Sequence, residues 1–97
     1  MRIISIKILS EYWETHPETE QPLRAWCSEV RHSQWKTSND VITHYPMADP
    51  VGNNRVVFNI KGKKHRLVVK IHYNTGIIYI RFIGTHAEYD RINAETI

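Results

Sequence analysis

The sequence predicts an α+β domain in which an N-terminal helical hairpin packs against a small antiparallel β-sheet. Apolar residues recur at helical spacing in the first third of the chain, whereas residues 55–83 fall into three segments rich in Val, Ile, Phe and Tyr. Short turn-forming segments separate these three. The chain has 97 residues, 41% of them hydrophobic and 24% charged, so we expect one globular domain over residues 1–97.

The N-terminal part reads as a short strand followed by two helices. Residues 1–4 are mostly apolar and partly β-branched and favour a short strand, and Ser5 can cap a helix that ends before Pro17. The second helix begins within residues 19–22. Two amphipathic helices joined by so short a link should form an antiparallel hairpin. The apolar stripes are Ile8, Leu9, Tyr12 and Trp13, then Leu23, Trp26, Cys27 and Val30.

The middle of the chain predicts a loop. Periodicity fades over residues 34–54, where Pro46, Pro50 and Gly52 occur. We expect at most a helical turn here, beginning at Ser38 or Asn39.

Three strands follow, and period-two alternation sorts their side chains onto two faces. The segments RVVFNIK (55–61), HRLVVKIHY (65–73) and IIYIRFI (77–83) form an antiparallel meander. Helices should cover the apolar face, and the opposite surface, which we call the cationic face, should be open to a ligand. The apolar face would carry Val56, Phe58, Ile60, Leu67, Val69, Ile71, Ile78, Ile80 and Phe82; the cationic face would carry Lys61, Arg66, Lys70, Tyr79 and Arg81.

The last residues predict a short helix. Thr85 and Glu88 stand three residues apart, as in a capping box, so this helix should begin just after the third strand of the meander.

Charge is distributed unevenly along the chain. Residues 1–50 contain five Lys or Arg and seven Asp or Glu, whereas residues 51–97 contain eight and three. No acidic residue lies between Asp49 and Glu88. A long cationic stretch within the folded core indicates a polyanionic partner, most often a nucleic acid.

The residues on and beside the cationic face could support RNA cleavage without a metal. That reaction needs a base, an acid and fixed cations for the charge that develops on phosphorus. Arg66 and Arg81 suit the cationic role because guanidinium groups grip phosphate oxygens. His86 lies at the expected start of the last helix and is a candidate for proton transfer. Each of the three also has a plain structural interpretation as a surface side chain.

Further residues are candidates for holding RNA. Lys61, Lys63 and Lys64 crowd the first hairpin turn and would attract a phosphate backbone, as would Lys70. Tyr79 and Tyr89 could stack on unpaired bases, although tyrosines at such positions also serve as core or rim residues.

Several classes of site and compartment are disfavoured. Cys27 is the sole cysteine, no metal-binding motif occurs, and the basic strands have no carboxylates for magnesium, so we expect no cofactor and no metal. No apolar run approaches a membrane span, and Lys7 and Glu11 interrupt the N-terminal apolar stretch. We therefore expect a cytoplasmic protein with no membrane partner.

Residues 55–92 resemble the C-terminal half of HigB-type toxins of bacterial toxin–antitoxin pairs. The segments VFNIKG, HRLVV, IYIRFIGTH and AEYDRI have that family's character, as does HPE at residues 16–18. The resemblance implies a RelE/ParE-like fold and a metal-independent mRNA interferase that cuts messages in the ribosomal A site. It also implies a HigA-like helix-turn-helix antitoxin as partner.

The resemblance also implies site residues. Related toxins carry catalytic arginines on the second and third strands of the meander, where Arg66 and Arg81 stand, and a histidine or tyrosine near the C-terminus, which matches His86. Some relatives use a glutamate base among the strands, which this chain lacks from residue 50 to 87. A lysine or histidine would then be the base, or the catalysis would be chiefly electrostatic.

Two other functions remain open from the sequence. ParE-like relatives poison DNA gyrase with the same fold and need no catalytic set. A cationic sheet face can also belong to an RNA-binding module that cleaves nothing.

Overall fold

A five-stranded mixed β-sheet forms the centre of the structure, a computed structural model that describes residues 1–97. The strand order is β1-β5-β4-β3-β2; β1 runs parallel to β5, and all other neighbours are antiparallel. The predicted meander and N-terminal strand are confirmed. The strands are β1 (Arg2–Ile4), β2 (Asp49–Gly52), β3 (Arg55–Ile60), β4 (His65–His72) and β5 (Ile77–Thr85).

Four α-helices accompany the sheet, and the first two form the predicted hairpin. A single 3₁₀ turn, Pro17–Thr19, connects them, and the Arg24 guanidinium lies 4.7 Å from the centre of the Trp13 ring, which places the end of one helix beside the start of the next. None of the helices has the length and apolar character needed to cross a membrane. The helices are α1 (Ile6–Thr15), α2 (Glu20–Arg31), α3 (Ser38–His44) and α4 (His86–Tyr89).

The start of α1 differs from the expected cap. Ser5 occupies the N-cap position, but its backbone is left-handed at φ 72° and its side chain makes no capping hydrogen bond. By contrast, Thr85 caps α4 as predicted, with its hydroxyl accepting from the Glu88 amide.

The middle of the chain is more ordered than predicted. The expected helical turn is the seven-residue helix α3, which Thr37 and Asp40 begin through a capping box. The predicted loop also contains β2, which pairs with the start of β3 through Asp49 opposite Val57. Pro46, Pro50 and Gly52 led to the prediction of a loop here, but an edge strand tolerates a proline.

The main hydrophobic core lies between the helices and the apolar face of the sheet. Leu9, Leu23 and Val30 are fully buried there. Phe58 is the aromatic centre, with its ring centroid 5.4 Å from that of Trp26 and 6.2 Å from that of Trp35. This layer of helices leaves the cationic face on the opposite side of the sheet.

A β-bulge in β5 corrects the expected position of Phe82. Val68 lies opposite Phe82 but Val69 lies opposite Ile80, so Arg81 is an extra residue in the ladder. Beyond the bulge the alternation is reversed, and Phe82 packs against Val68 on the cationic face instead of joining the main core.

The cationic face is also less open than expected, because the C-terminal segment (residues 90–97) covers part of it. Ala94 is 9% exposed and forms a small second core with Val57 and Val68. Ile92 and Ile97 pack against the same cluster. The expectation of a wholly open surface is therefore wrong, and two groups of cations remain on either side of this cluster.

Candidate functional site

Arg66 lies where β4 faces Gly84 of β5, and its guanidinium is held from two directions. Nη1 donates a hydrogen bond to Oδ1 of Asn59 on β3, and the guanidinium carbon lies 5.6 Å from the centre of the Tyr89 ring. Nε is buried without an acceptor, and Nη2 makes no hydrogen bond within the protein. The side chain is thus fixed in place while it still has unused donors.

Gly84 keeps the backbone opposite Arg66 free of a side chain. A Cβ at this position would lie 2.6 Å from Cζ of Phe82 and 3.2 Å from Oε1 of Glu88. The contact at 2.6 Å is closer than real Cβ atoms come, so a side chain at this position would require the Phe82 ring to move.

His86 stands at the same end of the sheet as Arg66. Its main-chain N–H donates to the Lys64 carbonyl at 3.1 Å, which joins α4 to the turn between β3 and β4. The imidazole is half exposed, with Nε2 3.5 Å from Oδ1 of Asp90. Lys61, Lys63 and Lys64 are all exposed around this turn, so the turn lysines and the imidazole face solvent together.

The start of α4 brings a carboxylate to this site, although none occurs from residue 50 to 87. Oε1 of Glu88 accepts the Thr85 N–H at 2.8 Å, and these capping hydrogen bonds lower the pKa of Glu88. The carboxylate therefore stays ionised and is committed to the cap. Burial is the main reason that the pKa of Tyr89 is raised, so that tyrosine keeps its phenolic proton.

The remaining predicted residues lie further along the cationic face. Lys70 of β4 is opposite Tyr79 of β5, and Arg81 follows in the bulge. Arg81 precedes Gly84, the partner of Arg66, by three residues, or about 10 Å at the usual strand rise. The two arginines thus lie on one face and within reach of one extended RNA segment.

The C-terminal segment engages Arg81. Nε of Arg81 donates to the main-chain oxygen of Ile97 at 3.2 Å, and the same oxygen accepts from Nε and Nη2 of Arg55 at 3.2 and 2.7 Å. The oxygen of Ile97 therefore contacts two arginines at this end of the face.

Sequence reasoning missed Asn59 and Arg55 as neighbours of the predicted cations. Alternation already placed both on the cationic face, but an amide side chain carries no charge signal and Arg55 stands outside the turn. Only the register, with Asn59 opposite Arg66 and Arg55 opposite Lys70, pairs them with the predicted cations.

The comparisons with known proteins bear on this arrangement. A model of the HigB toxin family, described as the RelE-like toxic component of a toxin–antitoxin system, matches residues 19–92. That range includes all of the predicted site residues and most of the chain.

The chain belongs to the HigB toxin family.

Curated relatives agree with membership of the HigB family. The chain is 27% identical over 96 residues to the mRNA interferase toxin HigB of Escherichia coli K12, a match that spans 97% of this chain and 92% of the relative. The proteins named mRNA interferase HigB from Escherichia coli O157:H7 and Shigella flexneri match to the same extent. The resemblance inferred from residues 55–92 is confirmed, and the family's description implies an antitoxin partner.

Proposed function

We propose that this HigB-family toxin is a metal-independent mRNA endoribonuclease that cuts messages in the ribosomal A site. The observation that carries the proposal is the state of Arg66, a guanidinium held by Asn59 and Tyr89 whose Nη2 makes no hydrogen bond within the protein. A phosphate oxygen is the acceptor that such donors prefer. The names of the relatives, all mRNA interferases, support the same reaction class.

The proposed reaction is an internal transfer at phosphorus. The ribose 2′-oxygen loses its proton and attacks the adjacent phosphorus, and the bond to the 5′-oxygen breaks. The leaving oxygen takes up a proton, so the products are a 2′,3′-cyclic phosphate and a 5′-hydroxyl end. Arg66 and Arg81 stabilise the extra negative charge on the phosphoryl oxygens in the transition state. Electrostatic stabilisation of this kind is usually the largest single contribution to the rate enhancement.

His86 is the proposed proton-transfer residue. Its imidazole is half exposed, and its main-chain N–H donates to the Lys64 carbonyl at the end of the face where Arg66 is held. Lys61, Lys63 and Lys64 would then dock the message and ribosomal RNA through their phosphates, with Lys70 extending this surface. Tyr79 and Tyr89 would stack on exposed bases.

Arg81 must exchange partners before it can take part. In the free protein it donates to the oxygen of Ile97, which it shares with Arg55. A phosphate can accept two parallel charge-assisted hydrogen bonds from one guanidinium, whereas the Ile97 oxygen is already shared with Arg55. We therefore propose that RNA draws Arg81 away from the C-terminal segment.

The proposal includes a compartment and a silencing partner. Ribosomes with translating messages are cytoplasmic, so the toxin would act there. A HigA-like helix-turn-helix antitoxin would hold it inactive. Finding an adjacent reading frame that encodes such a protein would support this part of the proposal.

The test is to map the 5′ ends of cellular transcripts after the toxin is induced. We expect new ends in phase with codons for the wild type and for Lys36→Ala, which removes an exposed cation before α3. We expect none for a folded Arg81→Ala/His86→Ala double variant. New ends or full toxicity from that double variant would exclude these residues as the site.

The same experiment separates the other two functions. A gyrase poison would stop growth with trapped gyrase–DNA complexes and no new RNA ends. An RNA-binding module that cleaves nothing would associate with RNA but leave transcripts intact.

A further inference from the structure

The C-terminal segment contacts two of the three proposed catalytic side chains. Oδ1 of Asp90 lies 3.5 Å from Nε2 of His86, and the main-chain oxygen of Ile97 accepts a hydrogen bond from Nε of Arg81 at 3.2 Å. Arg66 is the third of these side chains, and its partners lie elsewhere. In the free protein the segment therefore lies across the place where the proposed function requires the message.

Side chains fasten the segment to the sheet, and main-chain pairing does not. The main-chain hydrogen bonds of residues 93–97 all end at Asn93, within the segment itself. From the sheet, Nδ2 of Asn53 donates to the Glu95 carbonyl at 3.1 Å, and two arginines donate to the Ile97 oxygen. Because no strand loses a main-chain partner when these bonds break, the segment can leave while the sheet stays folded.

An apolar patch, formed by Val57, Val68 and Phe82, lies beneath the segment. Val57 and Val68 are 3% and 0% exposed, and Ala94 packs against both. Phe82 joins them because the bulge in β5 turns its ring to this face. Departure of the segment would expose one aromatic ring and two valines in the middle of the cationic face.

Cations stand at both ends of this apolar patch. In the ladder between β3 and β4, the valine pair lies between Arg66 on one side and Arg55 and Lys70 on the other. Single-stranded RNA has the complementary chemistry, because its phosphates bind arginine and lysine while its unpaired bases stack on aromatic side chains. An acidic peptide would match the cations but would bring no flat ring for Phe82.

We infer that the apolar patch is a nucleobase subsite for single-stranded RNA and that the C-terminal segment is its autoinhibitory cover. RNA displaces the segment as a unit, after which a base stacks on Phe82 and neighbouring phosphates bind Arg66 and Arg81. The covered state cannot bind in this way, so the apparent affinity of the free toxin is reduced to the fraction that is uncovered. The inference rests on the proposed function, to which it adds a site for a base.

Two neighbouring asparagines in the turn between β2 and β3 supply a matched pair of variants. Asn53 and Asn54 are both exposed, and both have a left-handed backbone, at φ 51° and 61°, which glycine adopts without strain. The Asn53 side chain reaches the segment, whereas the Asn54 side chain makes no hydrogen bond. Asn53→Gly therefore loosens the cover, and Asn54→Gly is its control.

The probe is a 2′-O-methyl oligouridylate, a single strand that cannot be cleaved by attack of its own 2′-oxygen. Its affinity for each protein is measured by fluorescence anisotropy. We expect Asn53→Gly to bind the probe about three- to tenfold more tightly than the wild type does, and Asn54→Gly to stay within about twofold. A segment that only completes the fold would give Asn53→Gly a lower Tm and equal or weaker binding, which would overturn the inference.

A chain that lacks residues 94–97 removes the cover itself. We expect it to bind the probe at least about tenfold more tightly than the wild type does. Glu95→Gln is the control for the lost negative charge, because it keeps the main-chain contacts of the segment, and we expect its affinity to stay within about twofold of the wild type. Equal affinity of the truncated chain and Glu95→Gln would overturn the inference. If the truncated chain does not fold, Asn53→Gly and its control decide.

Thiol labelling follows the segment directly. Ala94 is 9% exposed and Cys27 is 6% exposed, so both thiols of Ala94→Cys should react slowly in the free protein. We expect saturating probe to speed labelling at position 94 at least about fivefold and to leave Cys27 unchanged, since the main core stays closed. Unchanged or slower labelling at position 94 would overturn the inference, because RNA would then bind on top of the segment.

Neither readout involves a ribosome or cleavage, which keeps failure of the inference distinct from failure of the proposed function. Absence of cleavage by the wild type on ribosomes would refute the nuclease, and the subsite would then belong to an RNA-binding module. Cleavage by the wild type, with no gain in affinity for Asn53→Gly, would overturn the cover and leave the nuclease standing.

Discussion

Replacing Arg66 with lysine keeps the positive charge on the cationic face but removes the planar guanidinium. The hydrogen bond to Asn59 and the packing on the Tyr89 ring are both lost, and a lysine ammonium cannot present two parallel donors to a phosphate. The change therefore separates electrostatic attraction of RNA from stabilisation of the transition state.

The expected magnitude follows from the contacts. Removal of a preorganised donor from an oxyanion site costs about 2.7–4 kcal/mol, or roughly 10²–10³ in rate. RNA affinity should fall by less than about threefold, since the net charge is unchanged. Stability should change little, because the lost hydrogen bond to Asn59 is offset by removal of the buried, unpaired Nε.

The assay is single-turnover cleavage of a message bound to purified ribosomes, alongside RNA binding and thermal unfolding. Arg55→Lys is the matched control, because Arg55 lies on the same face but contacts Ile97. We expect Arg55→Lys to cleave within about threefold of the wild type. Cleavage by Arg66→Lys at the wild-type rate would show that Arg66 is not the phosphate clamp.

Three further predictions concern the framework around the site. Tyr12→Phe removes the hydroxyl that lies 2.6 Å from Nδ1 of the buried His65. We expect the free energy of unfolding to fall by about 1–3 kcal/mol. Thermal unfolding should show this as a Tm decrease of roughly 4–8 °C for each kcal/mol. Burial lowers the pKa of His65 below its unfolded value of about 6.5, so the unfolded chain binds more protons below that pH. The contribution of His65 to the free energy of unfolding should be complete above about pH 6.5 and should decrease by at most about 1.4 kcal/mol per pH unit as the pH falls toward the folded pKa. Denaturant titrations of His65→Gln should lack this pH dependence. Gly84→Ala forces the Phe82 ring to move from a Cβ 2.6 Å away, and we expect a loss of about 1–3 kcal/mol in the same titrations; an unchanged midpoint would mean that the ring turns aside freely.

Much of the fold could be predicted because local patterns and tertiary contacts agree. The three central strands combine β-branched residues with turn signals at both ends, and their observed bounds lie within two residues of the prediction. The capping box at Thr85 is likewise a local signal, and α4 begins where it indicates. These elements needed no knowledge of distant residues.

The errors arise where a distant partner decides the structure. The bulge at Arg81 is fixed by the pairing of β5 with β4, and it moved Phe82 to the other face. The pairing of β2 depends on β3, and local composition alone gave a loop. The C-terminal segment has little local pattern, yet Ala94 covers Val57 and Val68.

The sequence predicted which charged side chains form the candidate site, but it did not predict the groups that hold them in place. Alternation placed Arg66 and Arg81 on one face, which the structure confirms, while their catalytic roles stay predictions. The groups that hold them, Asn59 for Arg66 and the Ile97 oxygen for Arg81, lie on other strands or at the far end of the chain. No local signal reveals such partners.

The most direct measurement replaces one hydroxyl of the substrate. A ribosome-bound message is prepared with a 2′-deoxynucleotide on the 5′ side of the cleaved phosphate, and its cleavage by the wild-type toxin is compared with that of the all-ribose message. Internal attack by the 2′-oxygen requires that the deoxy message stay intact, while the ribose message gives a cyclic phosphate and a 5′-hydroxyl end. Equal cleavage of both messages would contradict internal attack by the 2′-oxygen at this site.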